Sequence, residues 1–204
     1  AGGCDTQKNK TCEIASLIKR EYGIEPVAHL TCVSSTREEL KQTLAQLKEN
    51  GVENILALRG DIPEGMEPKH DFYHANELVS FIKAHYPECN LLGACYPEVH
   101  AEAKSMDQDI QNLKHKVDAG VSHLITQLFF DNSHFYHFME KLRGAGVDTP
   151  VEAGIMPLTT VSQVQRMVSM CGASVPNELS TLVNRYADSP EDLAKAGTEF
   201  ALNQ

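Results

Sequence analysis

The feature that most constrains the fold of this chain is a junction written three times: Glu49-Asn50-Gly51-Val52, Asp118-Ala119-Gly120-Val121 and Gly144-Ala145-Gly146-Val147. In each, a glycine stops a helical pattern and a β-branched valine leads into an apolar run. Between the junctions, extended and helical patterns alternate at roughly 30 residues per strand–helix unit, the spacing of a βαβ repeat. Right-handed crossovers follow from that repeat. A chain built this way makes a parallel sheet or a (β/α)8 barrel.

The strands are expected over 27–33, 54–61, 90–98, 123–131 and 150–157. Helices are expected over 11–22, after the candidate caps Ser34, Ser35 and Thr36, and over 75–85, 105–119 and 133–144, with three more near 160–171, 176–187 and 190–203. Apolar side chains recur on one helical stripe in each of the first five, for example Leu40, Leu44 and Leu47, or Leu78, Val79 and Ile82. Residues 1–10 read as a polar, glycine-rich loop, and the stretch holding Pro63, Gly65 and Pro68 as another. With no linker or low-complexity stretch, residues 1–204 read as one domain.

Charge and cysteine usage narrow the function. A formal net charge of −10 argues against nucleic acid, whose binders carry a basic footprint. Cys4, Cys12, Cys32, Cys89, Cys95 and Cys171 are scattered with no CxxC pair, which reads as free thiols in a reducing cytoplasm. No apolar run reaches membrane-spanning length, and no signal peptide is recognisable, so no membrane partner is expected. The chain opens at Ala1-Gly2-Gly3 without a methionine, so a start upstream is expected.

The central apolar run, Asn54-Ile55-Leu56-Ala57-Leu58, ends abruptly in Arg59-Gly60-Asp61. Taken alone, that ending is a surface turn. Other strands, however, end alike: His29 and Thr31, then Tyr96, Glu98 and His100, then Gln127 and Asp131. Only the fifth, Gly154-Ile155-Met156-Pro157, ends without charge. Alternation along a strand puts His29 with Thr31, and Arg59 with Asp61, on a common side. Several polar side chains gathered at strand ends are costly to bury without partners, so a ligand site explains them better than separate structural networks. The set is rich in donors (Arg59, His29, Thr31 and the amides of Arg59 and Gly60), with Tyr73 and Tyr96 as flat surfaces and Gln127 able to donate and accept. It suits a planar, heteroatom-rich ligand with a phosphate tail. His70 with His74, and His134 with His137, have helical spacing but no third ligand, so no metal is expected. A Ser-His-Asp order and a GxxxxGK phosphate loop are both missing.

These same stretches resemble methylenetetrahydrofolate reductase, most closely the bacterial single-domain type. The matching segments are Ala28-His29-Leu30-Thr31-Cys32, Ala57-Leu58-Arg59-Gly60-Asp61, Tyr96-Pro97-Glu98-Val99-His100, Ile125-Thr126-Gln127-Leu128-Phe129-Phe130-Asp131 and Gly154-Ile155-Met156-Pro157, in the family's order. The resemblance implies a TIM (β/α)8 barrel holding FAD, with NADH or NADPH as co-substrate and 5,10-methylenetetrahydrofolate reduced to 5-methyltetrahydrofolate. It implies that His29, Thr31, Arg59, Gly60, Tyr73, Ala75, Tyr96 and His100 line the FAD, and that Asp109, Asn112 and Lys116 hold its ribose and pyrophosphate. Asp61 would sit beside the flavin and folate, and Gln127 would hydrogen-bond the pterin. Bacterial relatives form homo-oligomers, so the same is expected of the full-length protein.

Three departures qualify the transfer. No stretch matches the family's first strand, which carries a general-acid glutamate, nor its second and last strands. About five of eight strands are therefore expected here, with truncation at both ends and no turnover by these residues alone. Val161 stands where relatives often place an aromatic over the flavin, and His115 where an arginine is common. A flavin- or folate-binding barrel without turnover, or a partner subunit, is the alternative. A non-flavin aldolase would need a lysine at a strand end, and none of the five has one.

Overall fold

A computed structural model of the chain describes residues 3–62, 65, 67 and 69–204. Its elements alternate as α1 (Gly3–Tyr22), β1 (Val27–Thr31), α2 (Arg37–Glu49), β2 (Asn54–Leu58), α3 (Ala75–His85), β3 (Asn90–Cys95), α4 (Met106–Asp118), β4 (His123–Thr126), α5 (Asn132–Gly144) and β5 (Val151–Glu152). Three further helices follow: α6 (Val161–Cys171), α7 (Asn177–Arg185) and α8 (Pro190–Asn203). The strands form one sheet in the order β1-β2-β3-β4-β5, with β1–β2 and β2–β3 paired in parallel. Each strand lies beside its predecessor without reversal. That singly wound order belongs to a barrel wall rather than to a doubly wound sheet, whose order reverses at a switch point.

The chain divides into two compact units. The first runs to Ala94 and takes in Lys114–Leu124. Its strands are in register, with Ala28, Ile55 and Leu91 abreast, then Leu30, Ala57 and Gly93. The side chains of the first row and of Leu30 and Ala57 are buried, which is why β2 reads as an uninterrupted apolar run. On the opposite face His29 lines up with Leu56 and Leu92, and Thr31 with Leu58. At the N-terminal end of the strands Asn90 Nδ2 donates to Asn54 Oδ1 (3.0 Å) and Asn54 Nδ2 to the Pro26 carbonyl (3.4 Å), so the polar groups there satisfy one another.

Local chemistry sets the helix limits. Thr36 caps α2 in a reciprocal box, its hydroxyl taking the Glu39 amide (3.2 Å) while the Glu39 carboxylate takes the Thr36 amide (2.8 Å). Leu40, Leu44 and Leu47 then face inward, as do Leu78, Val79 and Ile82 of α3. The second unit, Cys95–Leu113 with Ile125–Gln204, has its own core of Phe130, Leu158, Val164, Ala173, Leu179, Val183 and Leu193. Gly197 of α8 lies so close to the Leu158 backbone that a Cβ there would meet the Leu158 carbonyl oxygen at 1.8 Å.

Several sequence expectations are corrected. The N-terminal stretch is helical from Gly3, so 3–10 is not a loop; Ala1 and Gly2 lie outside the described residues, as do Pro63 and Pro68 of the second expected loop. Along α1 the buried stripe is Cys12, Ala15 and Ser16, while Ile14 and Leu17 are 56% and 44% exposed. Small residues let this helix approach closely, and the larger apolar ones are turned outward. The strands are shorter than their apolar runs, because β2, β3 and β4 stop at Leu58, Cys95 and Thr126, before the polar residues that follow. No helix among the described residues is long and apolar enough to cross a membrane.

Candidate functional site

The first unit carries His29 and Thr31 on one face of β1, as alternation requires, with His29 exposed and Thr31 half-buried. Alternation does not carry through to Arg59 and Asp61. β2 ends at Leu58, and Gly60 turns back with φ +85°. The Arg59 carbonyl accepts the amides of Cys32 (3.1 Å) and Val33 (2.8 Å), which fixes the turn to the end of β1. A Cβ on Gly60 would lie 3.0 Å from Thr31 Cβ, so the turn is open only to glycine on two counts, conformation and space. Arg59 is half-buried and Asp61 exposed.

Residues 69–72 are tied down ahead of Tyr73. The Lys69 amide donates to the Val33 carbonyl (3.2 Å), and the Lys69 ammonium pairs with Glu39. Asp71 accepts the Arg37 amide at the start of α2 (2.8 Å), and the Arg37 guanidinium lies 4.7 Å over the Phe72 ring. Phe72 is buried against Phe81, so Tyr73 leaves a fixed point and projects with 59% of its surface exposed. The Tyr73 amide is taken by Glu77 Oε2 (2.8 Å), and Ala75, half-buried, opens α3.

Lys116, also in the first unit, sends its ammonium to the Ala94 carbonyl at the end of β3 (2.8 Å). Gly93 makes that path possible: a Cβ there would lie 3.0 Å from Lys116 Cδ. Cys32, buried beside the Arg59 carbonyl, has its thiol pushed up to about 11, chiefly by burial.

In the second unit, Tyr96 and His100 pack edge to face with ring centroids 4.6 Å apart. Asp109 Oδ2 accepts the His100 amide (2.8 Å), and His100 Nδ1 accepts the Glu102 amide (3.1 Å). An amide donor at Nδ1 assigns the ring proton of neutral His100 to Nε2, which makes Nε2 the donating end. Val99, between Glu98 and His100, has φ +77°. Asn112 is exposed. Gln127 is held by its amide to the Cys95 carbonyl (2.8 Å), and its Oε1 takes the Leu128 amide (2.9 Å), leaving the Nε2 end to donate. Asp131 caps α5 through the Ser133 amide (2.8 Å), and hydrogen bonds from Ser133 hold its carboxyl below the usual range.

Sequence reasoning missed what Asp109 and Lys116 are attached to, and it missed a cluster joining Glu98, Ser174 and His134. Glu98 stands out in the sequence as a strand-end acid; Ser174 carries no signal at all. Among the described residues no group of three or more His, Cys, Asp or Glu is placed to hold a metal.

A parallel sheet whose strands follow one another in chain order defines an α/β protein of the barrel type. The family model for methylenetetrahydrofolate reductase matches residues 1–204. The chain is 37% identical over 203 residues to the 5,10-methylenetetrahydrofolate reductase of Pectobacterium carotovorum, covering 99% of this chain and 67% of that protein. Against the Escherichia coli enzyme of the same name it is 34% identical, with 99% and 67% covered. Against an Arabidopsis thaliana methylenetetrahydrofolate reductase named for NADH it is also 34% identical, covering 98% of this chain and 36% of that one. The chain belongs to the methylenetetrahydrofolate reductase family, a family of oxidoreductases.

Among solved structures, a Clostridium thermocellum protein described as binding two copies of 5-methyl-5,6,7,8-tetrahydrofolic acid superposes with a TM-score of 0.57 at 14% identity, covering 92% of this chain and 65% of its own. A 2,3-dimethylmalate lyase gives 0.54 at 12% identity, with 93% and 66% covered. At such identities the likeness is one of fold, and it agrees with a barrel.

Proposed function

We propose that the polypeptide carrying this chain reduces 5,10-methylenetetrahydrofolate to 5-methyltetrahydrofolate, with FAD as its cofactor and NADH or NADPH as its electron donor. The observation that carries this reading is the family match over the whole chain, joined to the Arg59-Gly60 turn at the end of β2, where only glycine fits. The donor set also suits the cofactor. Arg59 and Lys116 are cations able to face phosphates, His29 and Thr31 are side-chain donors, and Tyr73, Tyr96 and His100 are rings able to pack on a planar group.

Bound FAD would supply the two-electron hydride chemistry between nicotinamide and folate. The residues of this chain place and tune. Gly60 presents its backbone without a Cβ in the way, and Arg59 supplies charge next to it. Asp61 brings a carboxylate that disfavours negative charge on a reduced ring and so strengthens hydride donation. Gln127, with Oε1 already engaged, offers Nε2 as a hydrogen-bond donor to the pterin. Asp109, with one oxygen on the His100 amide, orients that histidine besides standing with the exposed Asn112 and with Lys116 as a group for the ribose and pyrophosphate of the cofactor.

We assign residues 1–204 to one partial FAD-binding barrel domain of a homo-oligomeric, cytoplasmic enzyme. The described cysteines, Cys12, Cys32, Cys89, Cys95 and Cys171, are all free thiols, in keeping with a reducing compartment. The test is turnover: the full natural polypeptide with FAD, NAD(P)H and 5,10-methylenetetrahydrofolate should form 5-methyltetrahydrofolate, and Gln127→Ala should raise KM for the folate while leaving the bound-flavin spectrum intact. Flavin reduction by NAD(P)H with no transfer to the folate would refute the substrate.

A further inference from the structure

The loop after β3 contains a strained residue clamped from both sides. Val99 has φ +77°, a left-handed conformation that a β-branched side chain adopts only where its surroundings over-determine it. On its C-terminal side the clamp is Asp109, which accepts the His100 amide (2.8 Å). On its N-terminal side the clamp is Glu98. Both Glu98 carboxylate oxygens accept the Ser174 amide, at 3.0 and 3.2 Å. The Ser174 hydroxyl lies 3.3 Å from His134 Nε2, and that nitrogen lies 3.8 Å from Glu98 Oε2. Glu98 is the more buried member, its side chain 18% exposed against 42% for His134. Because a single histidine nitrogen faces both Ser174 and Glu98, the arrangement is not a nucleophilic triad, in which serine and carboxylate use opposite nitrogens. It is a tether. A carboxylate accepting a backbone amide makes a charge-assisted hydrogen bond, stronger than a neutral one, and it joins the Tyr96–His100 loop to the turn that follows α6.

We propose that Glu98 is a positioning residue: tethered to Ser174 and flanked by His134, it holds Val99 in its strained conformation and thereby sets the Tyr96–His100 ring pair for the flavin. The inference rests on the FAD reading given above. Without the tether, Val99 relaxes to negative φ, the peptide between it and His100 rotates, and the edge-to-face pair opens. In this reading Glu98 acts through the loop backbone, by way of Ser174 and His134, rather than as a donor to the cofactor.

The experiment titrates FAD into the full natural polypeptide and into its Glu98→Ala, Glu98→Gln and Glu98→Ala/Val99→Gly variants, recording affinity, the shape of the visible flavin bands and the melting temperature of the apoprotein. Removing a hydrogen bond to a charged group costs roughly tenfold or more in an equilibrium constant, so Glu98→Ala should weaken FAD about tenfold and alter the bands at saturation. Glu98→Gln, with one acceptor oxygen and no charge, should fall between wild type and Glu98→Ala, and it serves if Glu98→Ala fails to fold. The decisive variant is the double one. Glycine adopts left-handed φ without steric cost, so Val99→Gly should restore part of the affinity lost in Glu98→Ala. Wild-type affinity and bands in Glu98→Ala, with only its melting temperature lowered, would overturn the proposal; so would a double variant no better than the single. A wild-type polypeptide that takes up no FAD would overturn the cofactor reading and this inference with it, and the wild-type titration alone identifies that case.

Discussion

Gly197 separates packing from propensity by the sign of one substitution. In the interior of a helix, replacing glycine by alanine normally stabilises by about 1 kcal/mol, because alanine has less backbone freedom to lose. At Gly197 the new Cβ would stand 1.8 Å from the Leu158 carbonyl oxygen and 2.8 Å from its carbon. An ordinary carbon–oxygen contact is about 3.3 Å or more, so α8 and the Leu158 backbone must part by about 1.5 Å. That backbone belongs to a residue of the second core, and Leu193 of α8 is buried in the same cluster. The cost falls at the upper end of overpacking, about 3 kcal/mol, which leaves Gly197→Ala about 2 kcal/mol less stable after the propensity gain. For a chain of this length the melting temperature should fall about 4–8 °C. Gly144 at the end of α5 is the internal control. Nothing lies within 4 Å of the Cβ that alanine would add there, and its φ lies outside the left-handed range, so Gly144→Ala should stabilise by about 0.5 kcal/mol. Urea and thermal unfolding of both variants, followed by circular dichroism, give the signs. Gly197→Ala as stable as wild type would refute the close approach of α8 to Leu158.

The remaining predictions concern a thiol and a helix cap. Burial raises the Cys32 thiol to about 11, so the folded protein holds that proton more tightly than the unfolded chain, whose thiol titrates near 9. The stability this confers is complete below about pH 9 and is lost as pH rises toward 11; Cys32→Ala should flatten that slope in urea titrations, and alkylation of Cys32 should stay slow at neutral pH. Thr36→Ala removes the hydroxyl that caps α2 and should cost about 1 kcal/mol. Thr36→Ser, which keeps the hydroxyl, should stay near wild type, and a Thr36→Ala variant as stable as wild type would show that the capping box contributes nothing.

Much of this architecture was legible because each local signal agrees with the whole. The helix over 75–85 begins and ends where Leu78, Val79 and Ile82 and the following Pro87 say it should, and α2 starts after the candidate caps Ser34, Ser35 and Thr36, of which Thr36 is the cap. The failures have physical causes. Ile14 and Leu17 have the right period for a buried stripe, but a period does not say which face is buried, and the small Cys12, Ala15 and Ser16 allow the closer approach. Arg59 and Asp61 were paired by strand alternation, which lapses where Gly60 takes a left-handed turn. At the site, the residue types at the strand ends were readable, whereas their second partners were not. That Asp109 serves His100, that Lys116 crosses Gly93 to reach Ala94, and that Ser174 tethers Glu98 all depend on segments distant in sequence, and nothing in a single chain of letters joins them.

The central claim, that the donors at the strand ends form an FAD site, is tested most directly by the visible absorption spectrum of the purified polypeptide after addition of FAD and removal of the excess. The account predicts a retained flavin spectrum in the wild type that is lost in Arg59→Ala, with both proteins folded by circular dichroism. A folded wild-type protein that retains no flavin, or an Arg59→Ala variant that retains it undiminished, would contradict the claim.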